Sequence, residues 1–186
     1  MKLYRIILVD DEEEVRKSII RKIKWEENGF LVAGDAENGE DALEKIEALE
    51  PDLILTDIRM PYMDGLTLAE RVRQKYPSMK IVIFSGYDDF EYAKQAIKLN
   101  VTEYILKPVN VEELTAILQK IKANLDQEIE QKRNVNLLRE NYIKSLPILR
   151  EQFLNELVNA PVASETVETR LKEYGIPLSG AQKWIA

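Results

Sequence analysis

Two adjacent aspartates, Asp10 and Asp11, follow the apolar run Ile6-Ile7-Leu8-Val9 and begin the acidic stretch DDEEE. A third aspartate, Asp57, follows LILT, Ser85 follows IVIF, and Lys107 follows YIL. Three carboxylates with no imidazole or thiolate among them make a hard oxygen donor set, which suits Mg²⁺ or Mn²⁺. A divalent ion would also offset the mutual repulsion of the acid pair and leave positions open for water and phosphate oxygens. Asp57 could then act as a nucleophile on phosphorus. Lys107 could balance charge building on phosphoryl oxygens, and the Ser85 hydroxyl could donate a hydrogen bond to one of them.

These residues can cooperate only if the chain gathers them. Five apolar runs, Tyr4–Val9, Phe30–Ala33, Leu53–Thr56, Ile81–Ser85 and Glu103–Leu106, have the length and aliphatic content of buried parallel strands. Amphipathic helix patterns lie between them: Val15, Ile19, Ile20 and Ile23; Ala42, Leu43, Ile46 and Leu49; Leu66, Ala69 and Val72; Phe90, Ala93, Ala96 and Ile97. Alternating strands and helices imply right-handed crossovers and a doubly wound α/β sheet. Ligands of such sheets sit beyond the carboxyl ends of the strands. Asp10, Asp11, Asp57, Ser85 and Lys107 all occupy such ends, a joint placement far more specific than any of them alone.

Composition narrows the alternatives. The 186 residues are 45% hydrophobic and 32% charged, enough for one ordinary domain and an appendage or for two small domains. With no Cys and no His there is no disulfide, no thiol chemistry, no Ser-His-Asp triad and no phosphohistidine on this chain. The formal net charge of −7 argues against a phosphate-backbone binder. No apolar run is long enough to span a bilayer, and MKLYRIILVDDEEE reads unlike a secretory signal, so the expected location is cytoplasmic.

After Pro108 the pattern changes. Leu114, Leu118, Ile121, Leu125, Ile129, Val135, Leu138 and Tyr142 recur at three- and four-residue spacings, as in one long helix or two end to end. Its middle, DQEIEQKRNVN, is polar, as in a solvated spacer; the sharper reading is a dimerising coiled-coil stalk, although the heptads are imperfect. PILREQFLNELVNA beyond Pro147 reads as a further helix, and SETVETRLKEYG as another ending at Gly175. IPLSGAQKWIA then begins what resembles a strand, an ending expected of a piece of a longer polypeptide. The expected divisions are 1–122, a linker or stalk over 123–160, and the start of a further region over 161–186.

The motifs VDDE, TDIRMPYMDG, FSGYDD and LKPV, in this order and spacing, resemble the receiver domain of a two-component response regulator over residues 1 to about 122. The resemblance implies a flavodoxin-like (βα)₅ fold with strand order 2-1-3-4-5. It implies that Asp57 accepts a phosphoryl group from the phosphohistidine of a sensor kinase. Asp10, Asp11, Asp57 and the backbone carbonyl of Arg59 would hold Mg²⁺, and Ser85 and Lys107 would contact the phosphate. Tyr104 would be an aromatic switch that follows Ser85, and the Lys107–Pro108 peptide is often cis in the family. Such a protein is not an enzyme on external substrates; it dephosphorylates only itself. A homodimer is expected through the face of the fourth helix, fifth strand and fifth helix, or through the stalk.

A weaker resemblance, carried by TDIRMPYMDGL, FSGYDDFEYAKQAIKLNVTEYILKPV and LREQFLNEL, is to regulators with an AraC-type DNA-binding output domain. DNA would be bound only through that missing module, because SETVETRLKEYG holds more Glu than Lys and Arg. Two other functions compete: a receiver-shaped dimerisation module indifferent to phosphate, and a Mg²⁺-dependent phosphatase, which lacks DxDxT and GxxxxGK[ST] signatures here. Several polar residues have plainer roles. Glu12, Glu13 and Glu14 suit the first turn of a helix. Asp64 suits an N-cap, and Asp88 and Asp89 suit the opening of the fourth helix. The Arg59 side chain would be solvated or touch a kinase, and Phe90 and Tyr92 would serve packing or partner contact.

Overall fold

A computed structural model of the chain describes residues 3–86, 90–159 and 164–177. Five strands, β1 (Tyr4–Val9), β2 (Phe30–Ala36), β3 (Leu53–Asp57), β4 (Lys80–Ser85) and β5 (Glu103–Leu106), alternate with helices. These are α1 (Glu13–Lys22), α2 (Gly39–Leu49), α3 (Gly65–Lys75), α4 (Phe90–Lys98) and α5 (Val111–Asn159), with α6 (Ser164–Glu173) after them. The strands form one sheet of order β2-β1-β3-β4-β5, and every pairing is parallel. This is the flavodoxin-like order implied by the motifs.

Strand periodicity divides the core between the two faces of the sheet. Ile7, Val9, Ile54, Ile81 and Ile83 point to one side, where Ala42 and Ile46 of α2, Leu68, Ala69 and Val72 of α3, and Ala96 of α4 cover them. Ile6, Leu8, Leu53, Leu55, Val82 and Phe84 point to the other, against Ile23, Trp25 and the α5 residues Leu114, Leu118 and Ile121. Each fully buried Val, Leu, Ile or Phe side chain among these contributes about 1.5–3 kcal/mol, and each Ala less. The sheet is thereby held rigidly enough to fix what stands at its edge.

Two elements depart from expectation. β2 continues through Gly34 and Asp35 to Ala36, because the chain stays paired with β1; the register shifts by one residue between Ile6 and Ile7. Ladder pairing here outweighs the turn preference of Gly-Asp. Pro147 does not separate two helices, since α5 runs through it. A proline inside a helix removes one hydrogen bond, here the one to the Ile143 carbonyl, and the residue whose carbonyl it strands is exposed.

The chain divides into two compact units, Met1–Gln127 and Glu128–Ala186. In the second, Phe153 of α5 is buried, with the Tyr174 ring edge-on at 5.7 Å and the Arg170 guanidinium 5.7 Å from its centroid. Gly175, at φ 61°, ends α6 as expected. Its N–H donates to the Lys172 carbonyl while the Ile176 N–H reaches back to the Leu171 carbonyl, the pair of hydrogen bonds that closes a glycine-terminated helix. The strand expected within IPLSGAQKWIA lies mainly outside the described residues, as do Asp88, Asp89 and the Phe90 side chain. Among the described residues no helix is long and apolar enough to cross a membrane.

Candidate functional site

The carboxyl edge of the sheet gathers three charged groups from three strands. Asp10 leaves β1 with its side chain turned inward and 2% of the residue exposed. Its backbone N–H donates to the Ala36 carbonyl at 3.1 Å, and its Oδ1 accepts the Glu12 N–H at 2.9 Å. Asp57, the last residue of β3, is likewise buried. Lys107 directly follows β5, is joined to Pro108 by a cis peptide, and extends across β4 toward the ends of β3 and β1. Its Nζ lies 2.8 Å from Asp10 Oδ2 and 3.0 Å from Asp57 Oδ1. The Lys107 backbone N–H donates to the Ser85 carbonyl at 2.7 Å, tying the end of β5 to that of β4.

The remaining site candidates occupy distinct places. Ser85 closes β4 and is buried, in the residue position following Phe84, which pairs with Asp57. Asp11 is exposed and borders a neighbouring cavity of about 750 Å³, together with Ile58, Arg59, Asp64 and Tyr92. The Arg59 guanidinium stands 5.8 Å from the centre of the Tyr92 ring, a cation–π contact. Tyr104 sits on β5 beside Ile83, packed against the first core layer. Its hydroxyl is buried and has no hydrogen-bond partner among the described residues. Glu13 and Glu14 lie in the first turn of α1 behind Glu12, its N-cap, and Asp64 caps α3 by accepting the Thr67 N–H at 2.7 Å.

Electrostatics follow from burial. Desolvation pushes the Asp57 carboxyl above its usual value, although the Lys107 ammonium pulls the other way. Burial alone would depress Lys107, but its hydrogen bonds and attraction to Asp10 and then Asp57 outweigh it, and the ammonium is held above its usual value. One lysine therefore serves two buried carboxylates and leaves the pocket with a net negative charge.

That surplus, and donors consisting entirely of oxygen, fit a hard divalent cation. The geometry brings two carboxylates together around Lys107 and leaves Asp11 at the rim; among the described residues no group of three or more acidic, His or Cys side chains forms a metal cluster.

Other residues that shape the site have roles that the motifs do not spell out. The buried Thr56 hydroxyl donates to the Asp57 carbonyl at 2.9 Å. Gly65 donates its N–H to the Ile58 carbonyl at 2.9 Å and folds the β3–α3 loop tightly back on β3. Arg16, on α1, is buried beside the Asp10 backbone. The nearest sequence signal for the loop is the Asp64-Gly65 pair, a cap followed by a small residue.

Residues 6–119 match the response regulator receiver domain family. The chain belongs to that family. It is 37% identical over 158 residues to the transcriptional regulatory protein YesN of Bacillus subtilis (strain 168), a match spanning 84% of this chain and 42% of YesN. The receiver domain of AraT, a response regulator from Geobacillus stearothermophilus, superposes with a TM-score of 0.65 at 39% identity, covering 68% of this chain and 98% of that one. A two-component transcriptional regulator AraC from Clostridium phytofermentans ISDg gives 0.62 at 35% identity, over 67% and 98% of the two chains. This chain thus carries the receiver domain of a two-component response regulator whose relatives include transcriptional regulators, and it spans less than half the length of YesN.

Proposed function

We propose that this receiver is switched by phosphorylation of Asp57. The observation that carries the reading is the bridge from Lys107 to both Asp57 and Asp10 at the carboxyl edge of the sheet. A carboxylate oxygen of Asp57 attacks the phosphorus of a phosphohistidine on a sensor kinase. The P–N bond breaks, the imidazole leaves with the electron pair, and an acyl phosphate remains on Asp57. Lys107 balances the charge on the transferred oxygens, and the Ser85 hydroxyl donates to one of them.

Asp10, Asp11, Asp57 and the Arg59 carbonyl would hold Mg²⁺, which would supply charge compensation and orient the phosphoryl oxygens. The receiver turns over no external substrate and loses its phosphoryl group only by hydrolysis of its own acyl phosphate.

Tyr104 is assigned as the residue that reports the change to the face of α4, β5 and α5. A bond from phosphoryl-Asp57 draws Ser85 inward and alters the space that the Tyr104 ring fills. Moving an equilibrium from 1:99 to 99:1 requires about 5.5 kcal/mol, a modest demand on a group of charge near −2 that gains a lysine and a cation. The output is pairing of two copies, through that face or the stalk, and transcription control in the cytoplasm by an AraC-type DNA-binding domain beyond this chain. The regulatory names of the relatives support this last step.

Acetyl phosphate with Mg²⁺ tests the reading. The wild-type chain should gain the mass of one phosphoryl group and Asp57→Asn should gain none; an unmodified wild type, beside a control receiver that reacts, rejects it.

A further inference from the structure

Arg16 is a buried cation outside the Lys107 cluster, with its side chain 10% exposed. Its guanidinium forks: Nε lies 2.8 Å from Asp35 Oδ2 at the end of β2, while Nη1 donates to the backbone carbonyl of Asp10. Asp35 directly precedes Ala36, whose carbonyl accepts the Asp10 N–H at 3.1 Å. Both backbone polar groups of Asp10 are therefore held, one by β2 and one by a side chain anchored to β2. With Oδ1 bound to the Glu12 N–H, the remaining Oδ2 is directed to Lys107.

We propose that Arg16 and Asp35 act together as a positioning pair for the divalent-cation site, which rests on the Mg²⁺ reading above. The pair has two effects. Arg16 fixes the peptide that orients the Asp10 carboxylate and sends Asp11 to the rim. Asp35 absorbs the charge of Arg16, so a full positive charge stands next to Asp10 without cancelling the negative surplus the cation needs. Groups that orient metal ligands in this manner typically change metal affinity 10–100-fold when altered. Lysine at position 16 keeps the charge but cannot fork between a carboxylate and a carbonyl.

The test uses the whole chain, with Mn²⁺ as a paramagnetic probe and the free ion counted by electron paramagnetic resonance. Melting is followed in parallel by circular dichroism. Arg16→Lys and Asp35→Asn should each weaken Mn²⁺ binding about 10-fold, and the double variant should bind no more weakly than Arg16→Lys alone, since both act through one fork. Asp35 is half exposed, so its variant tests the idea even if Arg16→Lys fails to fold.

Arg73→Gln supplies the comparison for a purely structural arginine, because Arg73 donates to the carbonyls of Pro77, Met79, Leu99 and Asn100. It should lower the melting temperature and leave Mn²⁺ affinity unchanged. Wild-type affinity in folded Arg16→Lys and Asp35→Asn, or effects that simply add, overturns the positioning role while leaving the cation site standing. A wild type that holds no Mn²⁺ overturns both.

Discussion

No atom can be added to the α carbon of Gly65 without displacing the carbonyl of Asp57: a β carbon there would stand 1.9 Å from that oxygen. The obstacle is backbone, not a flexible side chain, and the Gly65 N–H is meanwhile bonded to the Ile58 carbonyl. The loop after β3 is thus pressed against the strand end that carries the phosphoacceptor candidate. Gly65→Ala should destabilise the receiver by at least the upper end of the about 1–3 kcal/mol range for overpacking. It should also slow modification of Asp57. Urea denaturation checks the first effect and phosphorylation time courses the second.

The buried Tyr104 hydroxyl should be a liability in the unphosphorylated protein. A buried polar group without a partner costs about 1–3 kcal/mol. Tyr104→Phe keeps the ring and removes the cost, so the denaturation midpoint should rise by roughly 1 kcal/mol equivalent. An unchanged or lower midpoint would show that the hydroxyl is satisfied in solution.

Charge in the pocket gives a pH-dependent prediction. Burial raises the Asp57 value in the folded state, so folding favours its protonated form. The associated stability is fully present below the unfolded value, near 4, and is lost as pH rises through the higher folded value. At neutral pH without divalent ions, ionised Asp57 therefore burdens the fold. Asp57→Asn leaves Lys107 paired one-to-one with Asp10 and should melt higher than wild type there. The gap should close as the pH falls below both values, and it should narrow at neutral pH when Mg²⁺ is added. Melting curves across pH, with and without Mg²⁺, supply the comparison.

Lys107→Met removes the cation shared by two buried carboxylates. Stranding buried charge costs about 3–5 kcal/mol in the strongest cases, and the partial exposure of Lys107 reduces that figure. Asp57→Asn in the same chain should recover part of the loss, because one stranded charge disappears. A double-mutant cycle in urea reads this coupling directly; strictly additive effects would contradict the shared bridge.

Much of this arrangement was legible in the sequence, for identifiable reasons. Asp10, Asp57, Ser85 and Lys107 each terminate an apolar run, and the strand-end rule converts that regularity into a location. The contact between Lys107 and Asp10 is set by topology instead, since it spans three positions of the sheet order. The resemblance implies that Asp11 holds the cation directly and Asp10 through water, but the sequence does not tell that, just past the end of β1, Asp10 is buried while Asp11 is exposed. Arg16 gave no signal because an arginine beside an amphipathic stripe ordinarily faces solvent. Its partner Asp35 lies in a Gly-Asp sequence with the composition of a turn. Pro147 misled for a similar reason: its local preference is strong, but the fold around it retains the helix.

The most direct test of the central claim locates the modification. After reaction with acetyl phosphate and Mg²⁺, borohydride reduction converts an aspartyl phosphate to homoserine, which marks its position for peptide mass spectrometry. The conversion should fall on Asp57 alone and vanish when Mg²⁺ is chelated. Conversion at Asp10 or Asp11, or none while a control receiver is converted, would contradict the assignment of Asp57 as the phosphoacceptor.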